Sequence, residues 1–203
     1  MLLNKYSNYD LECGVDEAGR GCLAGPVTAA AVILKPDFNH ELINDSKKLN
    51  ASLREKLIPI IIENSICYAV KNVSPKKIDE INILNASILA MHKCIKALDP
   101  KPNFILVDGN KFKAFGNIPH KTIVKGDAKY LNIAAASILA KHYRDNYMKK
   151  IHQNFENYGW KKNKGYPTKQ HKKNILNNGL TKYHRRTFKT CLLYTSPSPR
   201  DLR

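Results

Sequence analysis

A chain of 203 residues, 43% of them hydrophobic, can bury one sizeable core and is short for two, so it reads as a single domain. No run of 18 apolar residues occurs, which excludes a helical membrane span, and the start MLLNKYSNYD lacks the apolar stretch of a secretory signal, leaving the cytoplasm as the expected address. Thirty-four Lys and Arg against 17 Asp and Glu leave a net charge of +17, and five cysteines without a C-x-x-C pair speak for free thiols rather than a disulfide framework or a zinc site.

Along the chain, strand and helix signals alternate. Residues 11–18 and 27–34 are short apolar runs separated by Gly19, Gly21, Gly25 and Pro26, the pattern of two neighbouring strands joined by a glycine-rich turn. Asn50 is placed to cap a helix over 51–64, which Pro59 is expected to kink or interrupt. Residues 66–73 read as a third strand. Ser74 then offers an N-cap with Pro75 at the first helical position, and Ile78, Ile81, Leu84, Ile88, Met91 and Ile95 recur at helical spacing up to Leu98. NFILV, residues 103–107, is a short buried strand ending at Asp108-Gly109, and residues 121–124 form another that ends near Gly126-Asp127. A long helix follows over 131–152, whose Ala134, Ala135 and Ala136 allow close approach to a sheet. Thr168 caps a last helix, which Gly179 stops. Strands alternating with helices imply an α/β fold around a buried central sheet.

The positive charge is uneven. From Lys141 to Lys189 stand 14 basic residues and two acidic ones, Asp145 and Glu156, a local net of +12. That density suits a polyanion, because Lys and Arg that neutralise phosphates release condensed counterions. A solvated lysine-rich surface would read the same way.

Four acidic residues share a different pattern. Asp16 and Glu17 close the first strand, Asp108 closes the NFILV strand, and Asp127 follows the next one. Side chains beyond the carboxyl ends of strands line the crevice where α/β sheets bind ligands, so these carboxylates can converge. Two of them about 4 Å apart repel by about 1 kcal/mol in water and about 4 kcal/mol at an effective dielectric near 20, which a cation among them relieves. Oxygen donors without histidine favour Mg²⁺ or Mn²⁺ over zinc. Metal ions on a basic surface suggest phosphodiester cleavage. Taken singly, Asp16, Asp108 and Asp127 are better read as turn or cap residues; as a set at strand ends in one basic domain they favour a site.

The blocks GVDEAGRGCLAGPV (residues 14–27), NDSKKLN (44–50), LVDGN (106–110), VKGDAKYLNIAAASILAKHYRD (124–145), NKGYPTKQH (163–171) and HRRTF (184–188) together resemble bacterial ribonuclease HII, the type 2 ribonuclease H. The resemblance implies a ribonuclease H-like fold with a mixed five-stranded central sheet flanked by helices and a helical, basic C-terminal extension. It implies Mg²⁺- or Mn²⁺-dependent endonucleolytic cleavage of the RNA strand of RNA–DNA hybrids, and incision 5′ to ribonucleotides embedded in duplex DNA, by a monomer with no membrane partner. Asp16, Glu17, Asp108 and Asp127 correspond to the metal-binding, catalytic carboxylates. Gly19, Arg20 and Gly21 correspond to the loop that holds the scissile nucleotide, Tyr166 to a tyrosine at the RNA–DNA junction, and Lys47 and Lys48 to residues near backbone phosphates.

Physical chemistry supports parts of this independently. A protein that senses one 2′-hydroxyl needs backbone groups near the sugar, and glycine lets the backbone approach. Adjacent strand residues point to opposite faces, so a bulge or the strand's end is expected at Glu17. Tyr166, made extended by Pro167 and surrounded by lysines, either stacks on substrate or packs with Trp160 or Tyr158. The catalytic domain is assigned to residues 1–189. The last residues, TCLLYTSPSPRDLR, depart from the lysine-rich texture and are read as a tail outside the family pattern, over 190–203.

Overall fold

The computed structural model describes residues 2–43 and 49–192. Lys47 and Lys48 therefore lie outside the described residues. The sheet has five strands: β1 (Glu12–Ala18), β2 (Val27–Leu34), β3 (Ser65–Val73), β4 (Phe104–Asp108) and β5 (His120–Ile123). Their order is β3-β2-β1-β4-β5. β1 runs antiparallel to β2, and β2 to β3, whereas β1, β4 and β5 are parallel, so the expected mixed sheet is present.

Period-two alternation divides the core. Val27, Ala29, Ala31 and Ile33 of β2, with Cys13 and Val15 of β1, pack on helix α2 (Pro75–Ala97) through Ile78, Met91, Cys94 and Ile95. Ala30, Val32 and Leu34 face the other way, onto α1 (Ala51–Glu63) and α3 (Leu131–His152). The small residues of α3 let it lie against β1: Ala134, Ala135 and Ala136 are fully buried, and a Cβ on Gly14 would come within 2.1 Å of the Asn132 carbonyl carbon. Gly14 is thus where the sheet admits the helix.

Two helix expectations need correction. Pro59 does not interrupt α1, which runs unbroken from Asn50, whose side chain accepts from the Leu53 amide, to a cap at Asn64. Pro59 lies on the solvent side, where an unbonded carbonyl can be met by water. α2, in contrast, is kinked. Asn82 stands at φ 64°, and its side chain accepts from the Asn85 amide, so it acts as an N-cap in the middle of an apparently continuous apolar period.

Beyond α3 the chain forms short helices α4 (Trp160–Asn163), α5 (Lys169–Asn178) and α6 (Lys189–Leu192) around a second cluster of Leu23, Met148, Tyr158, Trp160 and Ile175. Cys191 is buried in that cluster. All five cysteines are free thiols.

Candidate active site

β1 and β4 are parallel, so their carboxyl ends emerge at the same edge of the sheet. Pairing between them stops at Val15 and Val107, while β1 continues beside β2 in regular register to Ala18 opposite Thr28. The bulge or strand end expected at Glu17 is therefore absent. Past Val15 the β4-facing edge of β1 is open instead. Asp16 sits opposite Ala30, on the α3 face, and Glu17 opposite Ala29, on the α2 face. Both reach one cavity around that open edge, where Asp108 ends β4.

This cavity, of about 270 Å³, is lined by Asp16, Glu17, Gly19, Arg20, Gly21, Asp108, Ser137, Lys141 and Tyr166. Asp16 is 5% exposed. Its pKa is pushed well up by burial, then by the negative charges of Glu17 and Asp108, against weaker opposing bonds from Ser137 and from the Glu17 amide at 2.6 Å. Burial also raises Glu17, although the Arg20 guanidinium, 3.0 Å away, pulls it back. Asp108 Oδ1 accepts from the Gly126 amide at 2.7 Å. That bond brings up the turn carrying Asp127, which is buried and does not line the cavity.

The donor set suits a metal ion. Three carboxylates share a buried space with one guanidinium on Glu17, leaving mutual repulsion that a divalent cation would relieve. Among the described residues, no three His, Cys, Asp or Glu side chains form a ready-made cage. Mg²⁺ suits this openness, since it is held by one or two carboxylates plus waters and substrate phosphates rather than by an all-protein cage. The oxygen donors fit a hard ion.

Tyr166 is 41% exposed and at the cavity wall, beside the buried Cys22 thiol, with Lys141 Nζ 5.8 Å from its ring centre. The aromatic cluster that could have claimed it forms without it: Tyr158 stacks on Trp160 at 5.0 Å, closed by His171 and His184. Trp160 Nε1 donates to His171 Nε2, which leaves His171 Nδ1 as donor to the Tyr166 carbonyl at 2.9 Å. The Thr181 amide donates to His184 Nδ1. Burial keeps both imidazoles neutral and pushes His184 down to about 3.

Sequence reasoning missed Ser137 and Lys141 as cavity residues, and Cys22 as a buried neighbour of Tyr166. The first two were findable, because positions four apart share a helix face and both lie in the block after Asp127. A more open groove of about 680 Å³ beside α2 brings Asp79, Glu80, His92 and Lys113 together, away from the strand ends.

A mixed five-stranded sheet that gathers acidic side chains at the ends of parallel strands, beside a basic extension, defines a nuclease of the ribonuclease H-like class. The chain matches the family Ribonuclease HII over residues 13–191. It is 58% identical over 188 residues to Ribonuclease HII of Christiangramia forsetii, covering 93% of this chain and 95% of that one. It is 56% identical to Ribonuclease HII of Bacteroides fragilis, over 93% and 94%. Among solved structures, ribonuclease H2 from Pyrococcus horikoshii OT3 superposes with a TM-score of 0.76 at 29% identity, covering 90% of this chain and 96% of that chain. The chain belongs to the ribonuclease HII family, endonucleases that cleave the RNA of RNA–DNA hybrids.

Proposed function

We propose that the protein, besides cutting the RNA strand of hybrids, incises duplex DNA 5′ to an embedded ribonucleotide, leaving 3′-hydroxyl and 5′-phosphate ends with Mg²⁺ or Mn²⁺ as cofactor. The observation that carries this reading is the single cavity shared by Asp16, Glu17, Asp108, the Gly19-Arg20-Gly21 backbone and Tyr166. When bound, such ions activate a water and stabilise the leaving oxygen. Asp16, Glu17 and Asp108 would supply oxygen ligands; Asp127, expected as the fourth, stands on the turn that the Gly126 amide ties to Asp108, outside the cavity lining. Ser137 orients Asp16, and Arg20 holds Glu17.

Recognition falls to the loop. Gly21 has open space where a Cβ would be, so a sugar can approach its backbone. Tyr166 offers a ring face for stacking. The exposed lysines of the extension, with Lys47 and Lys48 expected near phosphates, hold the duplex. The protein acts as a cytoplasmic monomer, with its catalysis in residues 1–189; no helix among the described residues is long and apolar enough to cross a membrane.

The test uses a duplex carrying one ribonucleotide, incubated with Mg²⁺ or Mn²⁺. Internal incision at its 5′ side is expected, and binding or end-trimming alone would overturn the reading. Because Gly21 has a φ open to any residue and no neighbour within 4 Å of where a methyl would stand, Gly21→Ala should fold normally yet lose about ten- to a hundredfold in incision rate. Unchanged incision would remove the loop from the site.

A further inference from the structure

The 14 basic residues between Lys141 and Lys189 divide sharply. Twelve reach solvent; Arg144 and Arg185 are 0% exposed. Buried cations usually face carboxylates, yet among the described residues neither guanidinium has an ion-pair partner. Their donors go to backbone carbonyls. Arg144 donates to Pro26, Ala24 and Lys164, at 3.0, 3.1 and 2.9 Å. Arg185 donates through Nε to Gly25 at 3.0 Å and through Nη1 to Arg20 at 2.8 Å. Four of these five carbonyls lie in the loop between β1 and β2, and the fifth lies two residues before Tyr166.

We infer that Arg185 is a positioning residue that sets the height of the Gly19-Arg20-Gly21 backbone over the cavity, and thereby the enzyme's discrimination for an isolated ribonucleotide. This rests on the reading of that loop as the ribose contact. Arg20 is the point of contact. Its side chain is half exposed and turned to Glu17, so its carbonyl, between the two glycines, is the part gripped from behind. The same guanidinium holds Gly25, near the loop's other end, and one rigid fork therefore fixes the separation of the two. Among the described residues Arg185 Nη2 has no partner, so the grip rests on these two bonds.

The fork is itself anchored. It lies 5.1 Å from the Phe188 ring centre, and the Arg185 amide donates to Leu23 at 2.8 Å. The next two amides, Arg186 and Thr187, donate to the Asp79 carboxylate on α2 at 2.9 and 3.1 Å. A continuous set of bonds thus runs from α2 through residues 185–187 to the Arg20 carbonyl. Burial lowers the Arg185 pKa to about 10, which leaves it charged at neutral pH. From the other side, the Arg144 guanidinium occupies the place of a Gly19 side chain, 1.9 Å from where a Cβ would stand, so the loop cannot settle inward.

A single embedded ribonucleotide offers one productive register, whereas an all-RNA strand presents a ribose at every step. Loosening the loop should therefore cost more on the first substrate. Arg185→Lys keeps the charge but not the fork. We expect kcat for a one-ribonucleotide duplex to fall about ten- to a hundredfold with KM little changed, and cleavage of an all-RNA hybrid to fall markedly less. An unchanged ratio between the two substrates, whether both fall together or neither does, would reduce Arg185 to a structural role and overturn the inference. Should that variant fail to fold, Asp79→Ala, which removes the acceptor of both the Arg186 and Thr187 amides, is expected to shift the same ratio in the same direction, and an unmoved ratio there overturns it equally. Gly21→Ala, run in parallel, separates the two claims: if it leaves incision intact, the loop reading fails. If Gly21→Ala impairs incision but Arg185→Lys leaves the ratio alone, only the positioning role fails.

Discussion

At the sheet end of the cavity, the fold buries Asp16 and Glu17 beside Asp108 with too little positive charge to balance them. At the C-terminal end, burial is matched: Trp160, His171 and His184 satisfy one another, and Arg144 and Arg185 direct their donors at carbonyls. The difference separates two uses of a buried polar group. The first cluster is held against its own electrostatics, as a site waiting for a counter-charge is. The second is neutral or hydrogen-bonded and supports the loops that face the substrate.

The sharpest way to break this comparison is Asp16→Asn. Incision should fall by roughly three orders of magnitude or more, while Tm rises. The sign follows from the raised pKa: the folded state favours neutral Asp16, so its ionisation above the unfolded carboxylate range costs stability, and the neutral Asn removes that cost. Each kcal/mol of repulsion relieved is worth about 2–4 °C. A lower Tm would place Asp16 among the structural groups and erase the contrast.

The matching experiment on the supporting cluster is Trp160→Ala. Removing this fully buried indole also strips His171 Nε2 of one of its two donors, and a loss of about 3–5 kcal/mol is expected by chemical denaturation. A loss under about 1 kcal/mol would mean that the extension is not a packed unit.

Acid should act on the two clusters in opposite directions. His184 and His171 have depressed pKa values, so below the unfolded histidine value near 6.5 the unfolded chain takes up protons that the fold refuses. Their support is whole above that pH and declines as pH falls towards about 3 for His184, by at most about 1.4 kcal/mol per pH unit per imidazole. Asp16 and Glu17, with raised values, are relieved by the same protons. Trp160 is the only tryptophan, so its fluorescence in urea titrations at pH 7.5, 6 and 5 reports on the extension directly. A midpoint that rises on acidification would show the carboxylates prevailing even there.

Much of this was legible in the chain itself. Local patterns marked all five strands and the long helices, because period-two and period-3.6 burial write themselves into the order of apolar residues. Asp16, Glu17 and Asp108 could be nominated because a carboxylate following an apolar strand is a one-dimensional signal, and the order of the blocks was enough to suggest the family. Other features had no such signal. Pro59 was tolerated because it faces solvent, and Asn82 broke a helix whose period continues across it.

Only the tertiary structure decided how Asp16 and Glu17 share a cavity without a bulge, since that depends on where β4 stops beside β1. It alone assigned Tyr166 to the cavity wall and not to the Trp160 stack, and it alone turned two of 14 look-alike cations inward onto the Gly19–Pro26 loop. The physical reason is range. Burial periodicity is set by neighbours a few residues apart, whereas the Arg185–Arg20 bond joins residues 165 apart, and no local pattern can encode which carbonyl a distant guanidinium will meet.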